Sequence, residues 1–378
     1  RRAMTIRRIL MATAAPVVAV VFSVAISSVV LMIAGTSPLE AWMEMLSYGT
    51  RLETLVATAN RATPLYLAGI AVAIGFRMNL FNIGVEGQYV LAAMLAAAAG
   101  GAVDLPPILH VTLIMVVAMA VGSSFAGVAG YLKVSRGVHE VISTIMLNAV
   151  ALGLTGFLLR SWLLDNSDTT LNMGTPEIPP SGRFPNLNGV VEGLSREITR
   201  GRELWGFLLV AILVGVLFHL FLSRTRAGYD LRATGLNPFA AEASGVHPSS
   251  TVVRAMLLSG AVAGLIGLPE ILGDAHKYDL NFTQGLGFAG IAVALIGRNH
   301  AVGVGIAALL FGWLDSAAPI LDVVGDTPRE IVSILQGVVV LSAVVAFEVV
   351  SRIRRATEAR DAAEATLPTV AATDGSPS

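Results

Sequence analysis

Two polar stretches interrupt an otherwise apolar chain, and they hold the side chains best suited to handling a solute. The first reads Phe76-Arg-Met-Asn-Leu-Phe-Asn-Ile-Gly-Val-Glu-Gly-Gln88 and carries Phe81, Asn82, Glu86 and Gln88. The second reads Phe282-Thr-Gln-Gly-Leu-Gly-Phe288 and carries Phe282, Gln284 and Phe288. Asn148 is a further amide, about two turns into an apolar run that opens at Glu140. Asn and Gln each supply donors and acceptors, which suits a neutral polar solute, and phenylalanine rings can stack on a ring. Free N–H groups at the start of a helix can also donate to a ligand. The same residues have a purely structural use: amides cap helix ends, and Glu86 favours the positive end of a helix dipole. Residue type alone leaves both uses open.

The scaffold that positions these groups is a membrane one. Hydrophobic residues make up 54% of the chain, charged residues 13%, and the mean hydropathy is +0.73. A soluble domain carries about 25% charged residues, so the fold class is an all-α polytopic membrane protein. Cysteine is absent, which excludes disulfides and thiolate metal sites. The histidines show no metal-ligand spacing, and no basic face for nucleic acid is present. Apolar runs at 9–34, 63–76, 85–103, 106–134, 140–159, 204–222, 251–273, 285–297, 301–318 and 330–350 predict about ten transmembrane helices. The run at 9–34 is about twice the core of a cleavable signal and reads as an anchor that remains as the first span. Segment 37–62 is too polar to span; its Leu39, Trp42, Met43, Met45 and Leu46 predict an amphipathic helix on the outer surface.

The transmembrane domain thus covers 1–350, with an extracytoplasmic loop at 160–203, a cytoplasmic loop at 223–250 and a cytoplasmic tail at 351–378 whose composition favours disorder. Short segments on one side hold Arg1, Arg2, Arg7, Arg8, Arg77, Lys133, Arg136, Arg224, Arg226, Arg232, Arg298, Arg352, Arg354 and Arg355. Those on the other hold only Arg51, Arg61, Lys277 and Arg329. The positive-inside rule then puts both termini in the cytoplasm.

The halves resemble each other. Phe81-Asn-Ile-Gly84-Val matches Phe282-Thr-Gln-Gly285-Leu, Gly130-Tyr-Leu132 matches Gly312-Trp-Leu314, and Glu140-Val-Ile-Ser143 matches Glu330-Ile-Val-Ser333. The order is kept, so spans two to five repeat as spans seven to ten. Span two runs inward and span seven outward, making the repeat inverted, with a broken helix in each half.

The cytoplasmic loop contains a bounded short helix. Asn237 is a good N-cap, Pro238 suits the first helical position, Ala241 lies in the body, and Gly245 can end it. Arg232 and Gly235 shape the approach. So complete a start and stop signal favours a docking surface.

Family resemblance enters with this loop. The pattern Arg-Ala-x-Gly-x-Asn-Pro-x-Ala-Ala-x-x-x-Gly, ending at Gly245, resembles the coupling loop of ABC importer permeases of the branched-chain amino acid, ribose and nucleoside superfamily. Leu80-Phe-Asn-Ile-Gly-Val-Glu-Gly-Gln88, Glu140-Val-Ile-Ser-Thr-Ile-Met-Leu-Asn148 and Gly287-Phe-Ala-Gly-Ile-Ala-Val-Ala-Leu-Ile-Gly297 resemble its nucleoside (simple sugar) branch. With Ile178-Pro-Pro-Ser-Gly-Arg-Phe-Pro185, the matches cover roughly residues 65–337. The resemblance implies a plasma-membrane permease subunit that pairs with a second related permease, a cytoplasmic ABC ATPase and an extracytoplasmic substrate-binding protein. ATP and Mg would be bound by the ATPase, with no cofactor in this chain. Independently, the sequence lacks the G-x-x-x-x-G-K-[ST] phosphate loop. Related permeases for ribose, other sugars or branched-chain amino acids are the nearest alternatives. An ion-coupled secondary transporter is a further one, but it calls for mid-span carboxylates, and Glu270 is the closest case.

Overall fold

The computed structural model describes residues 21–33 apart from 23, 35–165, 173–190, 203–325 and a few helical positions between 334 and 345. Most of the predicted first and tenth spans, and the tail, lie outside the described residues. Those described are helical, with isolated bridges and no strand among them. The chain divides into a unit of Arg1–Ala41 with Thr327–Ser378 and a unit of Trp42–Asp326. The first contributes helix α1, Val24–Ile33, and the start of α2, Pro38–Gly49.

The second unit continues with α3 (Leu52–Phe76), α4 (Val85–Gly101), α5 (Pro107–Arg136) and α6 (Glu140–Leu158), which runs on into a π-turn, Leu159–Leu163. Then come α7 (Phe207–Arg224), α8 (Arg226–Leu236), α9 (Pro238–Ala243), α10 (Pro248–Gly264), α11 (Leu286–Ile296), α12 (Ala301–Ala317) and α13 (Pro319–Gly325). Among the described residues, five segments are long and apolar enough to cross a membrane: Pro107–Arg136, Glu140–Leu163, Phe207–Arg224, Pro248–Ala275 and Ala301–Asp322. A sixth results if Val24–Ile33 and Pro38–Gly49 are one broken span. The apolar runs at 85–103, 106–134, 140–159, 204–222, 285–297 and 301–318 coincide with helices to within about a turn, while the run at 251–273 falls on α10 and the two short turns that follow it to Ala275.

One expectation needs correcting. Segment 37–62 is not one surface helix. It breaks after Gly49, and its second part opens α3, which continues unbroken to Phe76. Polar side chains along this part of α3 are satisfied internally. Thr58 and Thr63 donate to the carbonyls of Thr54 and Ala59 at 2.7 and 2.8 Å. Asn60 donates to the Glu203 carbonyl at 2.7 Å and accepts from Trp205 N–H at 3.0 Å. Pro64 lies inside α3 and has no N–H to return.

Helices α3 and α4 form the interior; α4 is buried at every position from 85 to 94. Small residues let the other helices approach. On α5 the buried positions His110, Ile114, Ala118, Gly122 and Ala126 recur every fourth residue. Ala118, Gly122 and Ala126 meet α10 at Gly260 and Gly264, where a Cβ would collide with the carbonyls of Gly122 and Ala118. In the same way α3 meets α12, where a Cβ on Gly312 would lie 2.8 Å from the Thr58 carbonyl oxygen and 2.9 Å from Ala62 N. Contacts of α3 with α11 and of α10 with α4 complete the interior. Outward, α7 exposes Leu209, Leu213, Val216 and Leu220, and α12 exposes Val302, Ile306 and Leu309, an apolar surface matched to lipid tails.

The glycine seam gives a first expectation. Gly264→Leu forces α5 and α10 apart and should destabilise the protein by about 3 kcal/mol. Thermal unfolding in detergent should show a lowered melting temperature, while Gly153→Leu, where added atoms meet nothing within 4 Å, should be near neutral.

Candidate functional site

The first break begins where α3 stops. Asn79 takes a left-handed conformation (φ +59°), and Leu80 N–H returns to the Gly75 carbonyl at 3.0 Å. The chain turns back through Phe81–Gly84 into α4. Asn82 organises this turn. Its Nδ2 donates to Ser259 Oγ at 2.8 Å and Gln88 Oε1 at 3.1 Å, and its Oδ1 accepts from Gln88 Nε2 at 3.0 Å and Gly84 N–H at 3.1 Å. Ser259 donates onward to the Ala71 carbonyl at 2.7 Å. Asn148, from α6, donates to the Ile83 carbonyl and accepts from Gly87 N–H, both at 2.9 Å. Asn82, Gln88 and Asn148 are all buried. Asn82 and Asn148 thus satisfy backbone groups that the break frees, and Gln88 holds Asn82 in place, as the interior of a membrane protein requires.

The second break is longer. After α10 the chain passes through a helical turn, Leu268–Glu270, and a π-turn, Ile271–Ala275, then reverses at His276 (φ +53°). It is covered by loop residues that include Thr175 and Ile178. Thr175 N–H donates to the Tyr278 carbonyl at 2.9 Å, and Ile178 N–H to the His276 carbonyl at 2.8 Å. Gly285 (φ +93°) leads into α11 without a side-chain cap of its own.

The two breaks meet at Glu86. Its Oε1 accepts from Gly285 N–H at 2.6 Å, and its Oε2 from Gly287 N–H at 2.9 Å. The carboxylate is 3% exposed and replaces the missing cap at the positive end of α11. The approach is close: a Cβ on Gly287 would lie 2.5 Å from Glu86 N and 2.7 Å from its Cα. Tyr89, one turn on and fully buried, places its hydroxyl 3.0 Å from the Thr283 carbonyl and 3.3 Å from Glu86 Oε1. One phenolic proton serves two acceptors, and the shorter bond goes to Thr283.

The predicted loop helix is α9. Asn237 caps it by accepting from Phe239 N–H at 3.0 Å and Ala240 N–H at 3.1 Å; Gly245 follows it at φ +82°. Pro238 opens it and Ala241 is buried, while Leu236 and Phe239 are 89% and 83% exposed. A second helix, α8, precedes it and contains Arg232 and Gly235, which sequence reading had placed in the approach. Thr225 caps α8 by accepting from Gly228 N–H at 3.0 Å. Gly235 rests on the first break: a Cβ there would lie 2.6 Å from the Arg77 carbonyl oxygen and 2.7 Å from Met78 Cα. Arg77 Nε donates to the Asn299 carbonyl at 2.9 Å, tying this turn to the α11–α12 turn. Burial, and secondarily the charge of Arg232, lower the Arg77 pKa. Burial, then the charge of Arg77, also lower that of His300.

Of the eight residues singled out for the solute path, Asn82, Glu86, Gln88 and Asn148 come together as one buried network. Phe282 is buried between Tyr278 and Tyr89, with ring centroids 4.6 and 6.3 Å away. Phe81 stands edge-on to Phe76 at 5.1 Å and is about half exposed, as is Phe288; Gln284 is exposed. Sequence reasoning missed Tyr89, Ser259 and Thr283. Tyr89 stands three residues after Glu86, a helical neighbour, which was a legible signal. Ser259 and Thr283 meet their partners only through tertiary packing.

Each buried N–H left without an acceptor costs about 1–3 kcal/mol. Glu86→Ala orphans two such groups and should lower the melting temperature sharply. Glu86→Gln keeps one acceptor oxygen and should fall between Ala and the natural residue in the same thermal scan.

Residues 54–344 match the family described as branched-chain amino acid transport system / permease component. A guanosine ABC transporter permease protein, NupP of Bacillus subtilis, is 34% identical over 86% of this chain and 91% of its own length. A glucose ABC transporter permease protein, TsgB13 of Haloferax volcanii, is 32% identical over 86% and 85%, and a nucleoside ABC transporter permease protein, NupB of Lactococcus lactis, 30% over 88% and 90%. No solved structure matches. The chain is an integral membrane protein and belongs to the branched-chain amino acid transport system permease family.

Proposed function

We propose that this chain is the membrane-spanning permease subunit of an ABC importer that moves nucleosides or related hydroxyl-rich solutes, driven by ATP hydrolysis on a separate subunit. The observation that carries the reading is the Glu86 clamp between two helix breaks, one of which also supports the capped cytoplasmic loop. Guanosine, a nucleoside and glucose are what the relatives' names specify, and each bears adjacent hydroxyls on a ribose or pyranose ring. The glucose relative favours a sugar as the second reading.

The fold in this reading has about ten spans, both termini in the cytoplasm and two inverted repeats. Several features support the repeat. Helix α3 pairs with α12 as α10 pairs with α5, the pairing that an exchange of spans two and four for seven and nine requires. Each break carries a left-handed non-glycine residue, Asn79 and His276. Aligning Phe81 with Phe282 makes Gly287 the counterpart of Glu86, so the clamp joins equivalent positions of the halves. The clustering of Arg77, Arg232 and Arg298 around adjoining turns fits a cytoplasmic face.

The partners in this reading are a cytoplasmic ATPase holding ATP and Mg, a second related permease and an extracytoplasmic binding protein. The ATPase docks on exposed Leu236 and Phe239 beside α9, and its movement reaches the first break through Gly235. Exposed Gln284, Phe81 and Phe288 face the solute path, while Asn82, Glu86, Gln88 and Asn148 shape it and Phe282 backs it.

Two measurements test this. Proline in place of Ala241 removes the 3.0 Å bond to the Asn237 carbonyl that forms α9. In proteoliposomes holding the whole complex, Ala241→Pro should abolish uptake while ATP hydrolysis continues; normal uptake would remove the coupling role. Gln284→Leu should slow uptake several-fold with an unchanged melting temperature, since the side chain is exposed; unchanged kinetics would take Gln284 out of the path.

A further inference from the structure

Glu270 is a carboxylate that the clamp does not use. It ends the turn Leu268–Glu270, immediately before the π-turn, a distortion frequent at functional sites. Its neighbours Leu268, Pro269, Ile271 and Leu272 are buried, yet Glu270 itself is partly exposed. Thr283 Oγ1 donates to its Oε1 at 3.1 Å, and the charges of Arg61, Asp274 and Asp279 act on it through space. A carboxylate offers about four acceptor positions, so this bond leaves capacity on the open side. An acid within an apolar segment is costly to keep and points to function.

We propose that Glu270 is a solute-recognition residue that accepts hydrogen bonds from two adjacent hydroxyl groups of the transported molecule. The proposal rests on the importer reading above and sharpens its substrate class to vicinal diols. Two carboxylate oxygens can take both hydroxyl protons at once, and a charged acceptor makes the stronger kind of hydrogen bond. An analogue without those hydroxyls would strip the carboxylate of water and return nothing, which is how a polar site rejects an apolar competitor.

The site is wired to the clamp. Thr283 holds Glu270 with its hydroxyl, and its carbonyl takes the Tyr89 proton for which Glu86 competes. A diol that draws Glu270 away from Thr283 would loosen that carbonyl and let Tyr89 turn to Glu86. Recognition at the second break would then reach the N-terminus of α11 through two side chains.

The test uses the complete transporter in proteoliposomes, with the binding protein saturated in turn with guanosine and with 2′,3′-dideoxyguanosine, so that the rates report on the permease. The natural protein should carry guanosine roughly tenfold faster, the range expected when a charged hydrogen-bonded contact is lost. Glu270→Gln should bring the ratio close to one, and Thr283→Val, which keeps the carboxylate but frees its orientation, should reduce it partway. An equal rate for both solutes in the natural protein, or an unchanged ratio in Glu270→Gln, overturns the assignment. ATP-driven guanosine uptake in either case leaves the importer reading standing. Its absence in the natural complex, with uptake following a proton gradient instead, would defeat that reading, and this assignment with it.

Discussion

Backbone that leaves helical geometry inside a membrane has to find partners within the protein, because lipid tails offer none. The interior of this chain is built around that constraint. Asn82, braced by Gln88, and Asn148 satisfy the first break, and Glu86 reaches across to satisfy the start of α11 in the second. The four residues come from a stretch of sequence and one distant helix, and every one is buried. Glycine at 287 is demanded by the same contact, since the Glu86 backbone occupies the space a side chain would need.

Joining the breaks makes them mechanically dependent. The turn after α3 carries α8, and the linker after the π-turn carries loop residues Thr175 and Ile178. Glu86 lies between these supports. The glycine contacts of α5 with α10, and of α12 with α3, bring backbone against backbone and leave little freedom to slide. Relative movement is therefore concentrated in the breaks, whose bonds are few and directional.

Much of this was legible in the sequence because membrane spans are long and the breaks are polar. The caps of α9 could be read residue by residue, since Asn237, Pro238 and Gly245 act locally. Helix α3 was misread for a physical reason: Arg51 and Glu53 at its start read as surface charge, while Thr58 and Asn60, which follow, are satisfied inside the protein. Hydropathy records a residue's composition and cannot record whom it meets. The Glu86 contact was out of reach on the same ground. Its type suited a cap for its own helix, yet the helix it caps lies some two hundred residues further along.

That separation bears on how the protein is made. When α4 enters the bilayer, Gly285 and Gly287 have yet to be synthesised, so Glu86 enters without the two donors that will hold it. A carboxylate in that position must stay hydrated or take up a proton. The contact that seals the centre can therefore close only after the second half has been made. A chain truncated before residue 285 would expose this unfinished group, a mark by which membrane quality control could tell it from the complete protein.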